Sequence, residues 1–494
     1  MFKDDLRHRV WNQVQAQPVR CFAKFLTPAA LNEAAQRCGL RIGSSALNLV
    51  HMVWLGVCYA ISSTRSFASI LTVTFKLLND AGALSIRSAT SEQRRSNKGK
   101  QGRERTRKKG QEPRRSKHDP RASDPTKVSE EAFVKARERM PLEFWITLTM
   151  LLADRFAEEH DDLVRWKHFR LLAMDGTLIN LPRWKALRDY FGAARGRRGG
   201  RTPQVRMVML QFPLTRVPYR YALAPKKTAE KTIAMELMRH VRPNDLLLID
   251  RGFWSYGLFA LIQQQGAFFA TRKIENVNLK VVRRLGPKDA LVRLTPSLAK
   301  WKKAPWPPSL ELRRIDYQVR GFRPSALITN VLDPKVISRK EWVGMAVHEA
   351  GEVLRKSIYH RRWEIEITFS ELKVRQGLRA LRGRKPGSIK YEIASHVLLY
   401  LMVRWLMVEA AKAHGIDPLR LSFTEALQEL RDMLPALTTC SEYRLRRILL
   451  LRLLSRIAEH VVPERPGRHY PRPNDTKTKD LGYGKKRKPA KLAG

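Results

Sequence analysis

Apolar and polar positions alternate differently along this chain, and the change of pattern divides it. Short apolar runs bounded by turn residues begin at Phe169. Arg170 to Asp175 is a strand-like run that ends in an acid and is followed by Gly176-Thr177. Val205–Phe212 and Tyr219–Ala224 are further strands, and Lys227–Val241 reads as helix. Asp245-Leu-Leu-Leu-Ile-Asp250 has the unbroken apolar character of a strand buried on both faces. It too ends in an acid, followed by Arg251-Gly252. Ser255–Gln265 is a predicted helix and Ala267–Thr271 a predicted strand. Four more strands follow, Leu279–Leu285, Asp289–Leu294, Leu310–Val319 and Ala326–Val331, interrupted by Pro305-Trp306-Pro307-Pro308. Helical patterns flank this region. Thr27-Pro28 reads as an N-cap with proline at the first helical position, and Ser45–Ser62 as a second helix. Residues 129–160 and 390–462 are helical, including Tyr391–Ala411 and Tyr443–His460.

Three strands, helix, strand, helix, strand is the order of an RNase H-like α/β domain, a mixed sheet covered by helices. The fold expected is such a sheet with a β-rich insertion before the last helix of the core, flanked by helical N- and C-terminal regions. The expected divisions are a helical N-terminal region over 1–90, of a kind that can present a helix to DNA, a basic disordered linker over 91–130 and a helical connector over 131–165. The core occupies 166–275 and 344–412, with the insertion at 276–343. A helical region over 413–462 and a basic disordered tail over 463–494 complete the chain. No helix-turn-helix pattern stands out in the N-terminal region, and a plain helical bundle fits it equally well.

Charge narrows the partner. The 494 residues carry a net charge of +48, from 94 basic and 46 acidic side chains. Such an excess calls for a polyanion, most simply nucleic acid. Much of it lies in Arg94-Arg95, Lys98, Lys100, Arg103, Arg105, Arg107-Lys108-Lys109, Arg114-Arg115 and Lys117, a run suited to phosphates without sequence preference. Cys21, Cys38, Cys58 and Cys440 are too few and too scattered for a disulfide framework or a cysteine zinc site, which fits a reducing cytoplasm. The N-terminus lacks a signal peptide's apolar core, and Arg404 interrupts the most apolar C-terminal helix, so no membrane span is expected.

Candidate chemistry centres on Tyr359 to Lys373, which has no Pro or Gly and reads as one helix beginning near Gly344. On a helical wheel Tyr359, Arg362, Glu366 and Lys373 share a stripe about 60° wide. His360, Glu364, Glu371 and Arg375 fall on another face, expected to be solvated. A carboxylate between two cations and a phenol suits a metal-assisted phosphodiester site. Taken alone, an i,i+4 salt bridge from Arg362 to Glu366 explains the pair as well. Asp175 and Asp250 each end a buried strand, where ligands bind in open α/β sheets. With Glu366 they make a set of hard oxygen donors suited to Mg²⁺ or Mn²⁺, two ions in all.

The spacing Tyr359-x2-Arg362-x3-Glu366-x6-Lys373 resembles the YREK signature of the DDE transposases of the insertion-sequence-4 family. Met174-Asp175-Gly176-Thr177 and Ile249-Asp250-Arg251-Gly252-Phe253 are similar to that family's two acidic motifs. The resemblance covers about residues 130–412. It implies cut-and-paste transposition: Asp175, Asp250 and Glu366 as catalytic metal ligands, and Tyr359, Arg362 and Lys373 on transposon-end DNA. It also implies a hairpin intermediate. Trp301 or Trp306 in the insertion would stack on an extruded base, unless both simply pack that unit. The implied partners are double-stranded inverted-repeat ends and target DNA, with a homodimer acting in a nucleoid-associated, cytoplasmic setting. Two alternatives stay open, a catalytically silent DNA-binding descendant and a nuclease without strand transfer.

Overall fold

The computed structural model describes residues 22, 25–40, 49–62, 130–195, 201–296, 306–318, 324–344, 357–440 and 442–463. The expected basic tail apart from Pro463, the linker apart from Glu130, much of the N-terminal region and Trp301 lie outside these residues.

The principal strands are β1 (Phe169–Asn180), β2 (Arg201–Phe212), β3 (Val217–Pro225), β4 (Asp245–Ile249), β5 (Phe268–Arg272), β6 (Lys280–Gly286), β7 (Asp289–Leu294), β8 (Leu310–Tyr317) and β9 (Ser325–Thr329). They form one sheet in the order β3-β2-β1-β4-β5-β9-β8-β7-β6. β1, β2 and β3 are an antiparallel meander, while β4 runs parallel to β1 and β5 parallel to β4. That is the RNase H-like arrangement expected from the element order. The β-rich insertion adds its strands to the same sheet, because β9 pairs antiparallel with β5, from Leu327 opposite Arg272 to Thr329 opposite Ala270.

The helices are α1 (Pro28–Arg37), α2 (Leu49–Ile61), α3 (Glu130–Arg139), α4 (Leu142–Glu159), α5 (Lys185–Phe191), α6 (Glu230–Leu237), α7 (Tyr256–Gln264), α8 (Arg339–Val343), α9 (Glu364–Ser370), α10 (Pro386–His414), α11 (Phe423–Thr439) and α12 (Tyr443–Glu459). The Thr27 hydroxyl accepts from Ala30 N at 3.1 Å, which confirms the predicted cap of α1. α10 is long and apolar enough to cross a membrane, but 94% of its apolar window is buried inside the molecule.

Both sheet faces are covered, which is why β4 reads as continuously apolar. Leu247 and Ile249 enter the larger core with α7 and α10; Leu246 and Leu248 enter a second core with Trp342 and Ile358.

Register fixes the site. Arg170 faces Asp245 in the parallel ladder, and its guanidinium donates to both carboxylate oxygens at 2.7 and 2.6 Å with both side chains buried. A slip of one residue would break this fork and turn each strand's side chains to the wrong face. The last pair of that ladder is Met174 with Ile249, so Asp175 and Asp250 leave it side by side.

The expected single helix from Gly344 is corrected. α8, capped by Ser338, ends at Gly344, whose φ of 81° stops it, and residues 345–356 lie outside the described set. Beyond them a 3₁₀ turn over Tyr359–Trp363 leads into α9, which widens into a π-turn over Glu371–Arg375.

Candidate active site

Arg362 is the hub of the site. Its side chain is 2% exposed, and it reaches all three predicted acids. Nη2 donates to Glu366 Oε1 at 2.9 Å; Nη1 lies 3.8 Å from Asp175 Oδ2 and 3.9 Å from Asp250 Oδ1. Nε and Nη1 make no hydrogen bond among the described residues. The structure therefore gathers carboxylates from β1, from the end of β4 and from α9 around one buried cation. The salt bridge that could have explained Arg362 and Glu366 alone is present, but it is one arm of this larger cluster.

The two aspartates differ electrostatically. Burial pushes the Asp175 carboxyl up to about 6, against the opposing pull of the Gly176 N–H and Arg362. Asp175 Oδ1 accepts from Gly176 N at 2.7 Å. Burial also acts to raise Asp250, but the Gly252 N–H, Arg362 and Arg272 outweigh it and hold that carboxyl below its usual range. Asp250 caps the 3₁₀ turn Arg251–Phe253 by accepting from Gly252 N at 3.0 Å. Glu366, its side chain 36% exposed, opens the cluster to solvent.

Lys373 lies on the π-turn with its ammonium hydrogen-bonded to the Thr177 hydroxyl, two residues beyond Asp175. Burial lowers its pKa, and Arg379 adds to the effect against the pull of Asp175. Tyr359, expected on DNA, is buried, and its hydroxyl donates to Ile249 O at 3.2 Å, one residue before Asp250. Trp306 is half-buried against the main core, as a packing residue of the insertion would be.

The face expected to be solvated is largely an inner face. Glu371 is 9% exposed. Arg404 and Arg216 bind its carboxylate, and the Tyr400 hydroxyl donates to it at 2.6 Å. Burial raises the Glu371 pKa, but Arg404 and Arg216 overcome this and hold it low. Glu364 pairs with Arg216 at 2.7 Å. Only Arg375 of that set is exposed. A wheel groups residues by angle but does not say what packs on each side, and these arginines come from the turn after β2 and from α10.

Sequence reasoning missed Arg272, at the end of β5, whose Nη2 stands 3.5 Å from Asp250 Oδ1. Its signal was a cation ending the strand next to an acid-ended strand. A second acidic group, Glu159, His160 and Glu409, converges within 4.8 Å elsewhere. Arg155 donates to Glu159 and the Trp405 indole to Glu409, as in an ordinary ion-pair cluster.

Residues 166–402 match a family model described as the transposase DDE domain. The chain is 28% identical over 318 residues to the transposase InsG for insertion sequence element IS4 of Escherichia coli (strain K12), covering 62% of this chain and 68% of that protein. It is 27% identical over 201 residues to the putative transposase y4zB of Sinorhizobium fredii (strain NBRC 101917 / NGR234), spanning 38% of this chain and 49% of that one. Among solved structures, the piggyBac transposase synaptic complex with hairpin DNA aligns over 93% of this chain and 87% of its own, at 12% identity and a TM-score of 0.38, too distant to bear on the site.

Proposed function

We propose that this chain, a DDE transposase of the insertion-sequence-4 type, cuts both strands at the ends of its element and joins the freed ends to target DNA. The observation that carries the reading is the triangle of Asp175, Asp250 and Glu366 around the Arg362 guanidinium. A cluster that accepts one buried cation through three hard carboxylates fits a divalent ion by charge and by donor type. Asp175, Asp250 and Glu366 would hold Mg²⁺ or Mn²⁺, two ions in our reading. Bound there, such ions would lower the pKa of water and offset charge on the scissile phosphate.

The chain's own groups do the positioning. The Arg170–Asp245 fork keeps β1 and β4 level, so the two aspartates stand together where the β1–β4 ladder ends. The Tyr359 hydroxyl ties the helical segment to the last carbonyl of β4, which fixes how far Glu366 stands from Asp250. Arg362 is a planar fork with an unbonded Nη1, able to turn to a phosphate when one arrives; Lys373 offers a compact charge beside Asp175.

In the first reaction a water oxygen bonds to phosphorus and the bond to the 3′ oxygen breaks, leaving a 3′-hydroxyl and a 5′-phosphate. The 3′-hydroxyl then attacks a phosphorus of the opposite strand, whose bond to the flanking strand's 3′ oxygen breaks, closing a hairpin; water attacks that phosphorus and releases the 3′-hydroxyl, which attacks a target phosphorus and displaces a target 3′-hydroxyl. Incubating the protein with end-labelled duplex carrying the element's terminus, Mg²⁺ and a target plasmid tests this. A nick with a 3′-hydroxyl, a hairpin and joined product are expected. A nick that never proceeds to joined product would make the protein a nuclease instead.

A further inference from the structure

We infer that the exposed face formed by α5 and the start of α10 is a docking track for double-stranded DNA, flanking the phosphate held at the three carboxylates; this rests on the function proposed above.

Two large aromatic rings lie open on this face. Trp184, just before α5, is 44% exposed and Tyr190, on α5, is 48% exposed. Each carries a cation. The Arg384 guanidinium sits 4.7 Å from the centre of the Trp184 ring. Lys390 Nζ sits 4.9 Å from the centre of the Tyr190 ring and donates to its hydroxyl at 2.8 Å. Arg183 and Arg188 are exposed beside them, and α5 packs against α10.

The way these cations are held is what matters. Lys185 and Lys385 are answered by Asp189 and Glu138, at 3.3 and 3.0 Å. Arg183, Arg188, Arg379, Arg384 and Lys390 have no carboxylate within ion-pair distance among the described residues. A carboxylate would order a side chain and cancel its charge. An aromatic face orders it and leaves the whole charge available. A cation fixed in place and not neutralised suits an incoming phosphodiester, because less side-chain entropy is lost on contact.

The face is continuous with the proposed active site. β1 carries Asp175 and Thr177 and ends at Asn180, four residues before Trp184. Across from it the charge of Arg379 is felt at Lys373, which is bonded to Thr177. Arg384 and Lys390 follow Arg379 in the chain, Arg384 just before α10 and Lys390 in its first turns.

Fluorescence anisotropy of a labelled duplex, titrated without divalent ion over a range of salt, tests the track. The double variant Arg384→Gln/Lys390→Gln should lower the slope of log affinity against log salt by about 1.8, two contacts at about 0.9 each. The double variant Trp184→Leu/Tyr190→Leu keeps every charge and should still bind about fivefold more weakly. Thermal melting of both variants checks that they fold as the parent does. A wild-type slope in the glutamine variant, or wild-type affinity in the leucine variant, overturns the inference. If both bind normally while the parent cuts the labelled end in Mg²⁺, the track fails and the proposed function stands. If the slope falls as expected while the parent cuts nothing, the track stands and the proposed function fails.

Discussion

Asp175 and Asp250 are the same residue type at the same level of adjacent strands, yet their surroundings push them in opposite directions. Burial dominates at Asp175 and raises its carboxyl from 3.8 to about 6. A carboxyl with a raised folded pKa costs stability as pH climbs through that window, because the folded state then holds more protons than the unfolded state. The metal-free Asp175→Asn variant should therefore melt higher than the parent at neutral pH, with the gain gone below about pH 4. Asp250 is the reverse case. The Gly252 N–H, Arg362 and Arg272 hold it low in spite of burial, so its charge stabilises the fold fully above its unfolded pKa, and that contribution is lost as pH falls through the lower folded pKa. Asp250→Asn should melt lower than the parent at neutral pH. Calorimetry of the two variants across pH checks both signs, and a shift in the same direction for both would contradict the assigned environments. Arg362 gives the second residue-scale prediction. Its guanidinium now neutralises the carboxylates that would bind a divalent ion. Arg362→Gln should therefore bind Mn²⁺ more tightly than the parent without DNA, by about tenfold or more, while binding duplex more weakly. Titration calorimetry with Mn²⁺ reads this directly; unchanged or weaker Mn²⁺ binding would show that Arg362 does not compete for the site.

At the scale of elements, the helical segment that carries Glu366 is held from behind. Its π-turn begins at Glu371, the residue that Arg404, Arg216 and Tyr400 grip. Removing one partner of a buried ion pair strands the others, at a cost of about 3–5 kcal/mol. Glu371→Ala should thus lower the melting temperature sharply and reduce soluble yield. Glu364→Gln should cost less, since Glu364 pairs with Arg216 alone at short range and Arg361 stands 4.0 Å away. A Glu371→Ala protein as stable as the parent would remove this network from the account. The sequence showed the stripe Tyr359, Arg362, Glu366, Lys373 because spacing along a helix is local information. It did not show which side was packed. That depends on Arg404 in α10 and Arg216 after β2, contacts that only the closed fold creates.

At the scale of the whole molecule, the β-strands of the core were legible because short apolar runs ended in acids and turn pairs. The strand order followed, since the parallel β1–β4 and β4–β5 pairs each need an intervening crossover and β1 to β3 are a meander. The insertion's four strands were legible, but their attachment was not. The antiparallel seam of β9 on β5 is a pairing across more than fifty residues, with no periodic signature of its own. Lys373 was placed by motif, while its bond to Thr177 needed β1 and the π-turn to meet. Trp301 and the basic run at 94–117 lie outside the described residues. What joins these scales is the claim that β1, β4 and α9 deliver three carboxylates to one phosphodiester. The most direct test is the rate of Mg²⁺-dependent cleavage of an end-labelled terminus by Asp175→Asn, Asp250→Asn and Glu366→Gln, measured beside Glu364→Gln at saturating DNA. The account predicts that the first three each lose cleavage by at least about a thousandfold with duplex binding kept, and that Glu364→Gln retains it. Near-parental cleavage by any one of the first three would remove that residue from the site and contradict the claim.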